Sequence, residues 1–430
     1  MDGDDLSGLL PETESNAFVG WGIVAVLCLT LVVTVVEGAF DWTFITASVV
    51  AILLVPPFTY RDPRVMPPWE LAVIVAIPLL WHPFSGHGLV IDTVTYLAVA
   101  ALALVIAVEL HQFTAVRMTH TFAIGFVVLT TLSVAGVWNV LQWFADVALG
   151  TSFLLDGRSQ AAINNDVMLE FVNAGVAGFG GGIVFDVYFR SRDRSPTERT
   201  YVPPKPLPDD HAETEAPKLR DRLGLSPRRQ RQTSRAMQFV LALVLCWGLY
   251  ARDLPTIANA ALALAITFVP ALLEREYDLP MDAGLVLWIT TAVFLHALGT
   301  TGFYVTVGTW DTITHALSAS IVAAAGYAFF RAVNVHTDHV HIPPTMMGVF
   351  ILVFVLAAGV IWELFEFLVD WSAAQLELDA VLVQHGIDDT IRDLVFDAIG
   401  AVIVTLWGTA YLTDLADSIS ERLDGRSGTE

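Results

Sequence analysis

Residues 345–371 read TMMGVFILVFVLAAGVIWELFEFLVDW. A run this long, with Glu363, Glu366 and Asp370 as its only charges, exceeds the roughly 20 apolar residues that cross a bilayer core. The three acids stand at i, i+3 and i+7, which is one face of a helix. A carboxylate in a bilayer is costly and is retained mainly where it is used. This stretch therefore sets the fold class, an all-α polytopic membrane protein, and directs attention to one face of one helix.

Eleven further apolar runs surround it: 17–38, 42–58, 68–84, 91–110, 121–145, 167–189, 237–251, 255–273, 281–299, 312–331 and 389–413. About twelve transmembrane helices are expected. The chain is 55% apolar, well above the soluble average. The first sixteen residues are acidic and lack the basic start of a cleavable signal peptide.

The chain reads as two copies of one unit. Trp138-Asn139-x-x-Gln142-x-x-x-Asp146 aligns with Trp362-Glu363-x-x-Glu366-x-x-x-Asp370. Ile163-Asn164-Asn165 aligns with Ile387-Asp388-Asp389, Asn173-Ala174 with Asp397-Ala398, and Asp92-Thr93-Val94-Thr95-Tyr96 with Asp311-Thr312-Ile313-Thr314-His315. Amides stand in the first copy where most acids stand in the second, and Leu169 takes the place of Asp393. Asn and Gln hydrogen-bond but hold neither a hard cation nor an exchangeable proton, so the chemistry is expected in the second copy. The expected organisation is an acidic tail (1–16), a six-helix repeat with a degenerate polar site (17–190), a Pro/Arg-rich linker (191–236), a six-helix repeat with an acidic site (237–413) and a second tail (414–430). Six helices return the chain to its starting side, so the repeats should be parallel.

Net charge is −22, from 44 acids and 22 bases, and only Lys205 and Lys218 are lysines. An acidic, lysine-poor surface resembles proteins from halophilic archaea, where salt screens the repulsion, the alternative being an ordinary acidic membrane protein. No basic face suits nucleic acid; membrane lipids are the expected partner. Nineteen of the 22 bases fall on one side of the expected helices, which predicts cytoplasmic termini and linker in the cell membrane. Arg158 and Arg252 fall outside. The Arg-rich ends of the linker should meet anionic headgroups as topology determinants. Cys28 and Cys246 read as core residues.

The acids of the second copy converge in depth. Asp389, Asp393 and Asp397 share a face at i, i+4 and i+8, and Asp311 precedes His315 by one turn. With the expected topology, these and Glu363 and Glu366 all lie in the outer half of the membrane, with His296 nearby. Buried charges need compensation. A divalent cation (Mg, Mn or Zn) is the simplest form of it, with Glu366, Asp389, Asp393, Asp311 and Asp397 as candidate metal ligands. His315 and Glu363 are the candidate catalytic groups. Protonation of clustered carboxylates is the rival. Asp311, Asp388 and Asp389 also occur where helix-capping acids occur. Gly178-Phe179-Gly180-Gly181-Gly182 lies within an apolar run and suits close helix packing rather than phosphate. His336-Thr337-Asp338-His339-Val340-His341 could bind a transition metal, though a solvated loop is the commoner meaning.

The motifs Trp310-Asp311-x-x-x-His315, Trp362-Glu363-Leu364-Phe365-Glu366-Phe367 and Gly386-Ile387-Asp388-Asp389-Thr390-x-x-Asp393-x-x-x-Asp397-x-x-Gly400-Ala401 resemble the bacterial YjdF-type inner membrane protein family, and more distantly VanZ-like proteins. The resemblance covers about 281–413 and implies the fold and the position of the site rather than a reaction. Three functions fit the residues. The first is a metal-dependent enzyme acting on a lipid or lipid-linked phosphate from the outer leaflet. The others are an H⁺- or Na⁺-coupled transporter and a non-catalytic sensor or assembly protein.

Overall fold

The computed structural model describes residues 14–81, 89–192, 226–277, 283–337, 339–378, 381–382, 384 and 386–408. The chain is a multi-pass, all-helical membrane protein. Its helices are α1 (Glu14–Glu37), α2 (Phe40–Leu53), α3 (Val55–Tyr60), α4 (Trp69–Trp81), α5 (Leu89–Phe113), α6 (His120–Leu149), α7 (Gln160–Arg192), α8 (Pro227–Ala251), α9 (Leu254–Tyr277), α10 (Ala283–Leu298), α11 (Trp310–His336), α12 (Pro344–Gln375) and α13 (Ile387–Ile403). Among the described residues no strand forms; Arg117 and His341 make an isolated antiparallel bridge. Helices satisfy every backbone group within the segment, which a bilayer demands. Ten helical spans here are long and apolar enough to cross one. α4 is shorter, and α13 carries the acids.

The described helices fall close to the apolar runs, with two informative departures. The run at 237–251 belongs to a helix that starts ten residues earlier, at Pro227. Residues 227–236 are therefore helical rather than part of the tether. Ser226 caps that helix by accepting the Arg229 N–H, Pro227 suits its first turn, and arginine and glutamine are good helix formers. Hydropathy is blind to all three signals. The run at 281–299 is followed by a π turn, Gly299–Phe303, and one more turn, Tyr304–Thr306. Gly302 has φ +116° there, where a side chain would be strained.

The described chain forms two compact units. Of the described residues, those within 14–135, 169–192 and 337–346 form one, and those within 136–168, 226–336 and 347–408 the other. In the first, α1, α2, α4 and α5 pack around Leu27, Leu53, Val75 and Leu79, and Met66 lies against Gly20. Gly178 and Gly182 let α7 approach α6 at Thr131 and Ile124, as the small-residue spacing predicts. In the second unit, Leu241, Ala263 and Ala297 join α8, α9 and α10. Cys28 and Cys246 are exposed rather than core. Both sit on outward helix faces among exposed apolar neighbours such as Leu29, Val32, Phe239 and Trp247, where a thiol is as acceptable to lipid as a small apolar group.

Asp146, near the end of α6, has a structural role. Its Oδ1 accepts from the Thr151 hydroxyl at 2.6 Å and the Phe153 N–H at 2.7 Å, and its Oδ2 from the Leu154 and Leu155 N–H groups, both at 2.7 Å. In the loop that follows, hydrogen bonds from the Arg158 backbone N–H and guanidinium hold the Asp156 carboxyl below its ordinary value.

Candidate metal centre

The site belongs to the second unit and is built on α11, α12 and α13. Packing between α11 and α13 sets it up. Gly400 lies so close to α11 that a Cβ on it would stand 2.5 Å from the Ala316 carbonyl oxygen and 3.0 Å from Ala319 Cβ. Gly359 does the same between α12 and α13, where a Cβ would stand 2.7 Å from Asp397 Oδ2. Two glycines thus bring three helices within reach of one another's short acidic side chains.

His315 is the hub. Its Nε2 lies 3.7 Å from Asp311 Oδ1 and 3.7 Å from Asp393 Oδ2, and its Nδ1 lies 3.6 Å from Asp397 Oδ1. Asp393 and Asp397 are buried, and His315 nearly so. One ligand atom from each of Asp311, His315 and Asp393 falls within 4.8 Å of the others, so these three could share an ion. Ligand atoms about 2.0–2.2 Å from one metal are separated by roughly 3–4 Å, so 3.7 Å suits the purpose. Asp397, on the other ring nitrogen, is where a metal-binding imidazole usually has a carboxylate partner that fixes its tautomer.

The other expected residues take different places. Glu366 is half-buried, one helical turn after Trp362. Asp389, in the first turn of α13, is half-buried and within electrostatic range of Glu366 and Asp393. Glu363 is almost fully buried and belongs to a hydrogen-bond ring. Gln384 Nε2 donates to Glu363 Oε2 at 3.0 Å and to Thr390 Oγ1 at 3.2 Å. Asn164 Nδ2 donates to Gln384 Oε1 at 2.6 Å, and the Thr390 hydroxyl donates to Asn164 Oδ1 at 3.1 Å. Every polar atom of the Gln384 amide is used, which orients Glu363. Asp388 accepts from the Trp143 indole at 2.7 Å and from Gln160 at 3.2 Å, so it ties the start of α13 to neighbouring elements.

Several of these groups escape a reading of the acids alone. Trp143, Gln160 and Asn164 precede the expected second copy, yet they hold the segment that leads into α13. Tyr304 hydrogen-bonds with His296 Nδ1 at 2.8 Å, and its ring lies against Gly299, where a Cβ would collide with it. The His296 ring meets Trp362 edge-on. The helix break places Tyr304 there; the glycines at 299 and 302 were its only sequence signal. His82 and Asp338 lie outside the described residues, as do the side chains of Asp92 and His336. No grouping of three metal-ligating side chains involves the 336–341 loop among the described residues.

Residues 4–66 match a family described as a domain of unknown function (DUF8268). An uncharacterized protein of Thermotoga maritima is 29% identical over 136 residues, which are 31% of this chain and 66% of that protein. The aligned region thus spans just under two thirds of that relative. No solved structure matches. Residues 233–414, the part of the chain that carries the acids, match the family described as Predicted membrane protein (DUF2238).

Proposed function

We propose that Asp311, His315 and Asp393 hold a divalent cation, and that the centre serves a metal-dependent enzyme acting on a lipid or lipid-linked phosphate. The observation that carries this is the two-sided environment of His315, with two carboxylates on Nε2 and a third on Nδ1. Three protein ligands leave coordination positions open, as in catalytic rather than structural sites. Mixed imidazole and carboxylate donors favour Zn or Mn over Mg. A bound cation would supply Lewis acidity toward a phosphoryl oxygen and lower the pKa of a coordinated water. His315 is then a ligand, steadied by Asp397, and Glu363, held by Gln384, is the group placed to accept a proton. Glu366 and Asp389 complete the acidic wall.

The test is metal analysis of the purified full chain, paired with phosphate release from a panel of phospholipids and isoprenoid phosphates. Zn or Mn near one per chain, with chelator-sensitive release, is the expected result. Protein purified without metal, binding none on titration, would overturn the reading. One observation favours a second reading. The helix break at Gly299–Phe303 lies beside the site, and interrupted helices occur at transporter binding sites. Bound metal with no turnover, together with cation flux in proteoliposomes, would select transport.

The family match over 233–414 supports the YjdF-type resemblance and leaves the VanZ link and the tandem origin of residues 17–190 as parts of this proposal. The arginine distribution supports cytoplasmic termini and linker in a cell membrane, with the acids opening outward. A cysteine placed at Lys205 should resist a membrane-impermeant maleimide in intact cells, whereas one at Arg158 should react. The reverse pattern would invert the topology.

A further inference from the structure

We propose that the amino-terminal turns of α8 form a binding surface for anionic phospholipid headgroups. Arg228, Arg229, Arg231 and Arg235 are all exposed there. The opposite face of the helix, Gln230, Ser234 and Leu241, is buried against its neighbours. At 100° per residue, Arg228, Arg231 and Arg235 fall on the outward side, and the exposed Phe239 and Leu243 continue that side. One face thus changes from basic to apolar along its length. Arg235 stands four residues before Phe239, about 6 Å along the axis. The headgroup layer of a leaflet is about 5–8 Å thick, so Arg235 falls within it once Phe239 sits in the hydrocarbon.

Among the described residues, nearby acids leave this charge in place. α8 and α9 are joined by a tight turn at Arg252 and form a hairpin, with Gln238 bonded to Thr267. Glu274 and Glu276 of α9 therefore end near the arginines. Glu276 pairs with Arg275 at 2.6 Å, and among the described residues none of the four α8 arginines makes an ion pair with a carboxylate. Among the described residues at this end, five arginines stand against two glutamates, a local excess in a chain of net charge −22. Exposed arginines in a protein this acidic have few carboxylate-free destinations, and a phosphodiester is matched by the guanidinium fork.

The experiment uses the full chain in nanodiscs of phosphatidylcholine with one fifth phosphatidylglycerol, followed by native mass spectrometry of the retained lipids. Wild type should retain phosphatidylglycerol above its bulk share. The R228Q/R231Q/R235Q variant should lose that preference, by about fivefold in affinity per arginine. The matching Arg→Lys variant should keep most of it, which separates charge from misfolding. Arg158→Gln, at a loop where the arginine is already paired, should change nothing. Millimolar inorganic phosphate should leave the preference intact. No enrichment in wild type, enrichment that survives the triple Gln variant, or displacement by inorganic phosphate would each overturn the proposal.

Discussion

Asp393→Asn is expected to abolish stoichiometric metal binding. The substitution removes one of three ligand atoms and leaves His315 with a neutral neighbour 3.7 Å from Nε2. Asp397→Asn acts through the far ring nitrogen of His315, Nδ1, and should weaken affinity by about 10–100-fold without eliminating it. That graded order, with Asp393 above Asp397, is what separates a metal centre from a cluster of independently satisfied acids. Binding to the folded state alone contributes about 2.7 kcal/mol at a hundredfold excess of ligand over Kd. A chelator should therefore lower the melting temperature of wild type in detergent and leave Asp393→Asn unmoved. Glu366→Gln combined with Asp389→Asn imitates the amides of the first half and should reduce the chelator effect in the same direction. If wild type and all three variants melt alike with and without chelator, the metal reading fails.

Gly400→Leu is expected to have the second large effect, through packing alone. An alanine methyl at this position already meets the Ala316 carbonyl at 2.5 Å, and backbone cannot yield as a flexible side chain can. Overpacking of this kind costs about 1–3 kcal/mol for a methyl and more for an isobutyl group. The larger side chain must push α13 away from α11, and His315 then parts from Asp393 and Asp397. Thermal unfolding and metal content should therefore fall together, although no ligand has been changed. Gly180→Ala, where nothing lies within 4 Å, is the control and should stay within about 0.5 kcal/mol. Retention of metal and stability by Gly400→Leu would show that the close approach of the two helices is absent.

Much of this arrangement was legible in the chain itself. Long apolar runs give helices because lipid leaves the backbone no other partner. The i, i+4 and i+8 spacing of Asp389, Asp393 and Asp397 needs only helical geometry to become a face, and the one-turn step from Asp311 to His315 needs no more. Two kinds of information were illegible. Polar contacts between segments far apart in sequence, such as Asn164 with Gln384 or Trp143 with Asp388, leave no periodicity, because neither member repeats. The other was helix extent at polar ends: the arginines of 228–235 read as tether by composition, whereas a serine cap and a proline at the first turn make them helix. Asp388 shows the same limit from the other side. It looks like its neighbour Asp389 in sequence, but its carboxylate is occupied by an indole and an amide.

The four hydrogen bonds that Asp146 accepts carry an evolutionary consequence. Selection sees that carboxylate through the loop it folds, irrespective of any reaction elsewhere in the chain. A descendant lineage in which the proposed centre fell out of use would drift at Asp393 and keep Asp146. The fate of these two aspartates across related genomes would then act as a clock hand, dating disuse of the proposed centre separately from loss of the protein.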